Sequence, residues 1–346
     1  MSVSSKKSKQ ELINLCTMLE LSTSGTKEEL CQRIDDTLEN NSKLIGTGAT
    51  GCVYYPPLPC LEPCDDERCI TGVSKLMNRV KAESEVMIYA KLQLDQLDPT
   101  ESYFIRKPLR CKPKPNKHIK ACSIEINDPE LLIYENGGQN LYKIISKQQY
   151  PASHVLYFLK NIFEAVKLLS IHKITHSDLK TENIVVGVDG RRYRLIDFGL
   201  SDFPTGPKIV FQNIYFVWPI DAILTNKSVN IDTHITNYMN DRHIITVLKP
   251  YYEHQNWWNR YTFRTILDSL PFDTPDLVPL VMSKLDVFSM GVVLLDIARY
   301  YPEVKEPIMD FLDRTEILHP DPTKRPTATA LYAHYEHFIR SNNLNK

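Results

Sequence analysis

His176-Ser177-Asp178-Leu179-Lys180-Thr181-Glu182-Asn183, with Asp197-Phe198-Gly199 close behind, sets an Asp, a Lys, an Asn and a second Asp in a telling order. That order suits the transfer of a phosphoryl group from a nucleotide. Asp178 is placed to accept the proton of an attacking hydroxyl, and Lys180 to neutralise charge on the moving group. Asn183 and Asp197 offer oxygens, the donors that a hard cation such as Mg²⁺ prefers. Either motif alone arises by chance. Both together, in order and about 14 residues apart, rarely do.

Such chemistry needs a phosphate cradle upstream, and Leu44-Ile45-Gly46-Thr47-Gly48-Ala49-Thr50-Gly51-Cys52-Val53 reads as one. A lone glycine fingerprint is weak, because a Rossmann turn is spelled similarly. Here Ile45, Val53 and the tyrosines after it suit strand-turn-strand instead of strand-turn-helix. Residues Ile45, Gly46, Thr47, Gly48, Ala49, Thr50, Gly51, Cys52 and Val53 are therefore the candidate nucleotide contacts, with glycines letting the backbone close on phosphates. Val73-Ser74-Lys75-Leu76 follows as a strand whose Lys75 would reach the α/β-phosphates. A helix from residue 80 to 92 offers Lys75 a carboxylate, Glu85, with Glu83 as the alternative. Residues two apart face different ways on a helix, so only one serves. The apolar strand Leu131-Leu132-Ile133-Tyr134, broken at Gly137-Gly138, places Glu135 and Asn136 where backbone groups would bond adenine, with Tyr134 behind them.

This set of motifs closely resembles that of the protein kinases. Two later stretches extend the resemblance: Asp286-Val287-Phe288-Ser289-Met290-Gly291, similar to the family's D-x-W-S-x-G, and Asp321-Pro322-Thr323-Lys324-Arg325-Pro326, similar to its arginine-bearing turn. The resemblance covers about residues 43–340. It implies a two-lobed α+β fold: an upper lobe over 43–136, a lower lobe over 137–340, and ATP between them. Lys180 points to serine/threonine acceptors on protein substrates. The roles implied are Asp178 and Lys180 in catalysis, Lys75 and Glu85 with Glu135 on ATP, and Mg²⁺ on Asn183 and Asp197. Asp286 would accept hydrogen bonds from the catalytic-loop backbone. The competing class is an inactive pseudokinase scaffold with a DNA-binding module, but such chains lose one of the lysine or aspartate positions kept here. A kinase-fold enzyme for small molecules is a third reading.

Departures from the pattern are informative. Ser177 stands where most kinases carry an arginine that pairs with a phosphate on the following segment, so phosphorylation there should have little leverage on activity. Hydroxyls between residues 200 and 217 are few, chiefly Ser201 and Thr205. Trp218-Pro219-Ile220-Asp221 replaces A-P-E; Ile220 cannot pair with Arg325, and Asp221 is the substitute one residue later. About 66 residues separate Pro219 from Asp286, an insert assigned to 222–284. Its aromatic run, Tyr251-Tyr252 to Trp257-Trp258, is read as packing onto the lower lobe in preference to a docking surface.

The N-terminal segment is a separate module. Leu12, Leu15 and Leu19 share a helical face, and a polar turn ends at Gly25. Thr26 and Glu29 then form a capping box for a second helix striped by Leu30, Ile34 and Leu38. Residues 9–42 resemble the SAP motif, a DNA-binding helical pair, after a frayed tail over 1–8. Lys6, Lys7, Lys9, Lys27 and Arg33 could meet phosphates, yet acids nearly balance bases there, so any DNA binding should be weak.

Across the whole chain, 41 basic residues face 42 acidic ones, which argues against general attraction to nucleic acid or membrane. No cleavable signal or long apolar run is legible, and the apolar stretch Gly291–Leu295 is too short to span a bilayer. The expected setting is intracellular. Eight cysteines are then read as free thiols, since Cys60, Cys64 and Cys69 lack strong zinc spacing. Val53-Tyr54-Tyr55-Pro56-Pro57-Leu58-Pro59-Cys60, Leu97-Asp98-Pro99 and Trp218-Pro219 resemble serine/threonine kinases of large nucleocytoplasmic DNA viruses, such as iridoviruses and mimiviruses. That resemblance implies a viral protein of the host cytoplasm or virion.

Overall fold

The structure, a computed structural model, describes residues 7–48, 50–203, 215–226, 230–270 and 274–344. Ala49, Thr205 and Lys6, all singled out above, lie outside the described residues. The chain divides into two compact units, residues 1–101 with 105–137, and residues 102–104 with 138–346.

The first unit opens with two helices, α1 (Lys9–Met18) and α2 (Lys27–Asn40), each entered through a capping box. The box at Thr26 and Glu29 was legible; the one at Ser8 and Glu11 falls where a frayed tail was expected. Each Ser or Thr cap stabilises its helix by about 1 kcal/mol, because orphan N–H groups gain acceptors. Gly25 precedes the second cap at φ +125°, and a Cβ there would strike the Glu29 carboxylate. Leu12, Leu15, Leu30, Ile34 and Leu38 form the helical core, which also takes in Ile70 from α3 (Arg68–Thr71).

A five-stranded sheet follows, in the order β1 (Lys43–Gly48), β2 (Gly51–Tyr55), β3 (Val73–Asn78), β5 (Pro129–Tyr134), β4 (Leu109–Cys111), with all neighbours antiparallel. β3 runs straight into α4 (Arg79–Leu92); the short link is possible because Asn78 ends the strand and caps the helix, accepting from Val80 N at 3.0 Å. The brief α5 (Leu94–Leu97) completes this part.

The cysteines overturn the free-thiol expectation. Cys52 pairs with Cys122, Cys60 with Cys111, and Cys64 with Cys69, leaving Cys16 and Cys31 as thiols. The first two bridges close loops of 70 and 51 residues, a separation that no local spacing rule detects. Among the described residues no cluster of His, Cys, Asp or Glu suits a metal ion.

The second unit carries a three-stranded sheet, β6 (Gln139–Asn140), β7 (Ile184–Val186) and β8 (Tyr193–Leu195), and is otherwise helical. Its helices are α6 (Leu141–Ser146), α7 (Ala152–Ile171), α8 (Ile231–Asn240), α9 (Arg242–Val247), α10 (Lys249–His254), α11 (Arg260–Ser269), α12 (Leu277–Tyr300), α13 (Lys305–Thr315) and α14 (Ala328–Ser341). α12 is far longer than the apolar stretch read from sequence, and by length and composition it could cross a membrane; 72% of its apolar window is buried inside the unit, as in a core helix. Insert helices α8–α11 bury Tyr238, Tyr251, Tyr252 and Phe263, and Trp257 meets His319 at 4.5 Å, so these aromatics build core. Tyr261, 82% exposed, is the exception in that run.

Asp221 does take the place that Ile220 cannot fill. Its carboxylate meets both terminal nitrogens of Arg325, whose Nε donates to His319 O at 2.7 Å, and both side chains are fully buried. Removing one partner of such a pair strands the other charge. Asp221→Ala is expected to cost about 3–5 kcal/mol in denaturant unfolding. Thiol labelling of the denatured chain should count two reactive cysteines before reduction and eight after it.

Candidate active site

In the first unit the glycine stretch is a β1–turn–β2 hairpin, as its flanking residues predict, with Gly48 opposite Gly51. The three glycines have different reasons. A Cβ on Gly51 would lie 2.4 Å from Leu76 O, so this glycine lets β3 approach. Gly48 has no neighbour within 4 Å and Gly46 only Val53, which leaves open backbone where a phosphate would sit. Ile45 stays 44% exposed on β1, an apolar side chain available to a base. Cys52 is a bridge residue, so only its backbone remains for a ligand.

Lys75, central on β3, places Nζ 2.9 and 3.1 Å from the Glu85 carboxylate, and both side chains are nearly buried. Glu83 instead meets Arg110 at 3.2 Å on the opposite side of α4. The choice between the two carboxylates is thereby made. Tyr134 closes the group by donating its hydroxyl to Glu85 Oε1. Glu135 and Asn136 follow β5 directly in irregular backbone.

In the second unit a buried carboxylate fixes the catalytic stretch. Asp286 of α12 accepts His176 N at 2.7 Å and Ser177 N at 3.0 Å. Burial pushes this carboxyl up, opposed by His176 and the two backbone donors. His176 meets Ile196 O through Nε2 at 3.1 Å, and its Nδ1 faces Asp178 N at 3.3 Å, which locks the ring orientation. Ser177 and Asp197 both adopt left-handed backbone, φ 65° and 63°, a costly conformation for side-chain-bearing residues that tends to gather at functional sites.

Between these strained points the side chains converge. Asp178 receives Lys180 Nζ at 2.9 and 3.1 Å and Asn183 Nδ2 at 2.8 Å. Asn183 also donates to Asp178 O at 2.8 Å, which commits its nitrogen and leaves its amide oxygen for a cation. Phe198, after Asp197, packs edge-on against Phe104 at 5.6 Å and beside His176 at 4.7 Å. Asn183 and Asp197 supply hard oxygen donors but only two of them, which fits Mg²⁺ that keeps water and phosphate as its other ligands.

One residue escaped sequence reasoning. Tyr215 donates its hydroxyl to Asp178 Oδ1 at 2.5 Å and accepts from Lys180. Nothing local marks a tyrosine 37 residues downstream as a partner of Asp178.

Comparison with known proteins agrees with this geometry. The protein kinase domain family matches residues 120–214, and the SAP domain family matches residues 4–39. Calcium-dependent protein kinase 24 of Arabidopsis thaliana is 35% identical over 100 residues, covering 28% of this chain and 17% of that protein. A probable myosin light chain kinase of Dictyostelium discoideum is 27% identical over 165 residues, covering 43% and 39%. The serine/threonine-protein kinase ppk25 of Schizosaccharomyces pombe is 37% identical over 73 residues, covering 21% and 17%. The chain thus spans 39% or less of these relatives' length. It carries a protein kinase domain and, at its N-terminus, a SAP domain. These relatives are eukaryotic and lend no support to the viral assignment.

Thr181 ties the loop to α12 through Asp296, at 3.2 Å, and burial with nearby Glu182 pushes that carboxyl up to about 6. Because 6 lies above its ordinary 3.8, the folded state holds this proton more tightly; the stability it contributes is full below pH 3.8 and is lost as pH rises through about 6. Asp296→Asn should therefore gain on the native protein across that window, by on the order of 1–2 kcal/mol at pH 8, in unfolding curves taken from pH 4 to 8.

Proposed function

We propose that the chain is a protein serine/threonine kinase that transfers the γ-phosphoryl group of Mg-ATP to protein hydroxyls. The observation that carries this is the Asp178–Lys180–Asn183 cluster, held by Asp286 in one hydrogen-bonded unit. In this reading Asp178 takes the proton of the attacking Ser or Thr hydroxyl, and Lys180 turns its ammonium toward the transferring group. Asn183 and Asp197 hold Mg²⁺, which when bound spreads charge over the phosphates. Lys75, oriented by Glu85, binds the α/β-phosphates, with residues 45–53 over them and the Glu135 backbone on adenine.

The pseudokinase alternative draws no support, because Lys75, Asp178, Asn183 and Asp197 are all present. For the SAP domain the reading is weak nucleic-acid binding through Lys7, Lys9 and Lys27. Arg33 adds little, since its Nη1 already donates to Ser22 O and Ser24 O at 2.5 and 3.1 Å. An intracellular setting remains part of the same proposal.

Incubation with Mg-ATP labelled at the γ-phosphate and a generic basic protein tests the reading. Acid-stable label on Ser or Thr is expected, reduced about 10²–10⁴-fold in Asp178→Asn and comparably in Asp197→Ala. Folded, ATP-binding wild type that transfers nothing would return the chain to the scaffold class.

A further inference from the structure

The connection around β4 and on to β5 concentrates charge of one sign. Residues 105–124 hold seven of the chain's 41 Lys and Arg and none of its 42 Asp and Glu, so the remainder of the chain is acidic overall. A basic segment set in an acidic chain is the electrostatic footprint of a polyanion site. The body of the SAP domain does not share it, since α2 carries five acids against Lys27 and Arg33.

The segment is held as a platform. Lys112 O accepts Leu61 N and Lys114 N donates to Pro59 O, both at 2.8 Å. The backbone is extended there, so Lys112 and Lys114, two apart, share a face. A 3-10 turn follows over Lys117–Ala121, and residues three apart eclipse in such a turn, which puts Lys117 and Lys120 on one side. Ile119 packs toward the sheet core instead, and Tyr54 donates to its carbonyl at 3.5 Å. Cys60–Cys111 and Cys52–Cys122 fasten the segment near both ends. Asn116 joins it to the SAP domain, donating to Glu39 O at 3.0 Å while its Oδ1 accepts His118 N at 2.8 Å. A ligand therefore meets lysines whose backbone needs no ordering.

All four lysines are exposed. Among the described residues no ion pair holds Lys117 or Lys120. Lys112 and Lys114 meet Asp128 and Glu39 in pairs about half exposed, which add little stability and yield to a phosphate. Protein-binding surfaces are depleted in lysine and rich in aromatic residues, whereas residues 105–124 hold no Phe, Tyr or Trp. Lysines without aromatics suit a phosphate backbone.

We propose that residues 112–120 form a nucleic-acid contact that grips phosphates through Lys112, Lys114, Lys117 and Lys120. It extends the nucleic-acid reading of the SAP domain to a surface outside that domain. The contact positions and does not read bases: Asn116, the side chain suited to a base edge, is already bonded through both polar atoms.

The test uses the full chain and a labelled duplex DNA of about 20 base pairs, with binding followed by fluorescence anisotropy between about 50 and 200 mM salt. Lys117→Gln with Lys120→Gln should weaken binding about tenfold or more and make the slope of log K against log salt shallower by about 2, equally on duplexes of different sequence. Lys112→Gln with Lys114→Gln, a second pair, should do the same, and thermal unfolding at the wild-type temperature shows that each pair leaves the fold intact. Lys7→Gln, Lys9→Gln and Lys27→Gln together test the SAP domain separately. Loss in all three variants supports both surfaces. If the SAP variant alone loses DNA, the inference is overturned and the SAP reading stands; if only the loop pairs lose it, the inference stands and the SAP reading fails. Tighter binding of polyglutamate or of phosphatidylserine vesicles than of the duplex overturns the choice of nucleic acid. No binding of the duplex by folded wild type overturns both readings.

Discussion

Asp286 accepting two backbone N–H groups, from His176 and Ser177, is the contact on which the catalytic stretch depends. Buried amides left without acceptors cost more than an ordinary hydrogen bond returns, so this carboxylate fixes the backbone in one arrangement. Its effect spreads because it stands on α12, the most enclosed helix of its unit. Ser289, one turn along the same face, donates to Val217 O at 2.8 Å. Met282 O accepts Thr175 Oγ1 at 3.3 Å, and Lys284 reaches Arg325 O and Pro326 O at 2.8 and 3.0 Å. A single helix therefore aligns the catalytic loop, the turn that follows Tyr215, and the arginine turn. Apolar residues dominate this buried helix and charges are few, which explains why composition alone makes it resemble a membrane span.

The first unit solves a different problem. Lys75 must stay charged while nearly buried, and a charge in that position needs an equally buried partner. Glu85 supplies it, and the Tyr134 hydroxyl satisfies one further acceptor position on the carboxylate. The sheet around this pair is narrow, with a three-residue β4 at its edge, and two disulfides tie its strands to the long connections. Cross-links of that span limit the freedom of the unfolded chain, which offsets the small core a short sheet provides.

Local chemistry was legible from sequence and distant pairing was not. The catalytic stretch, the glycine hairpin and the Thr26 capping box all declare themselves within ten residues, because each function is performed by neighbours. Even Asp221 was legible, since the family pattern puts a carboxylate at the Ile220 position and Asp221 stands one residue later. The pattern favoured Glu85 over Glu83, and the structure gives the physical reason: Lys75 holds the first and Arg110 claims the second. The cysteines were misread for a physical reason: redox compartment is a prior about surroundings, whereas pairing is decided by which strands the fold brings together. Tyr215 was missed because its partner, Asp178, stands 37 residues upstream and no local pattern joins the two.

Ser177 connects these observations. A guanidinium at this position would lie among buried groups, where it would need an anion to neutralise it. The serine is fully buried, and its Oγ finds no hydrogen-bond partner among the described residues. With no cation there, the loop cannot be held by a phosphate on the next segment. It is held by the indole of Trp218 on the Ser177 carbonyl, a neutral bond that needs no modification to form. The same turn brings Tyr215 onto Asp178. The serine at 177 and the Tyr215 contact thus belong to one arrangement, in which the turn at 215–218 docks on the catalytic loop through aromatic side chains.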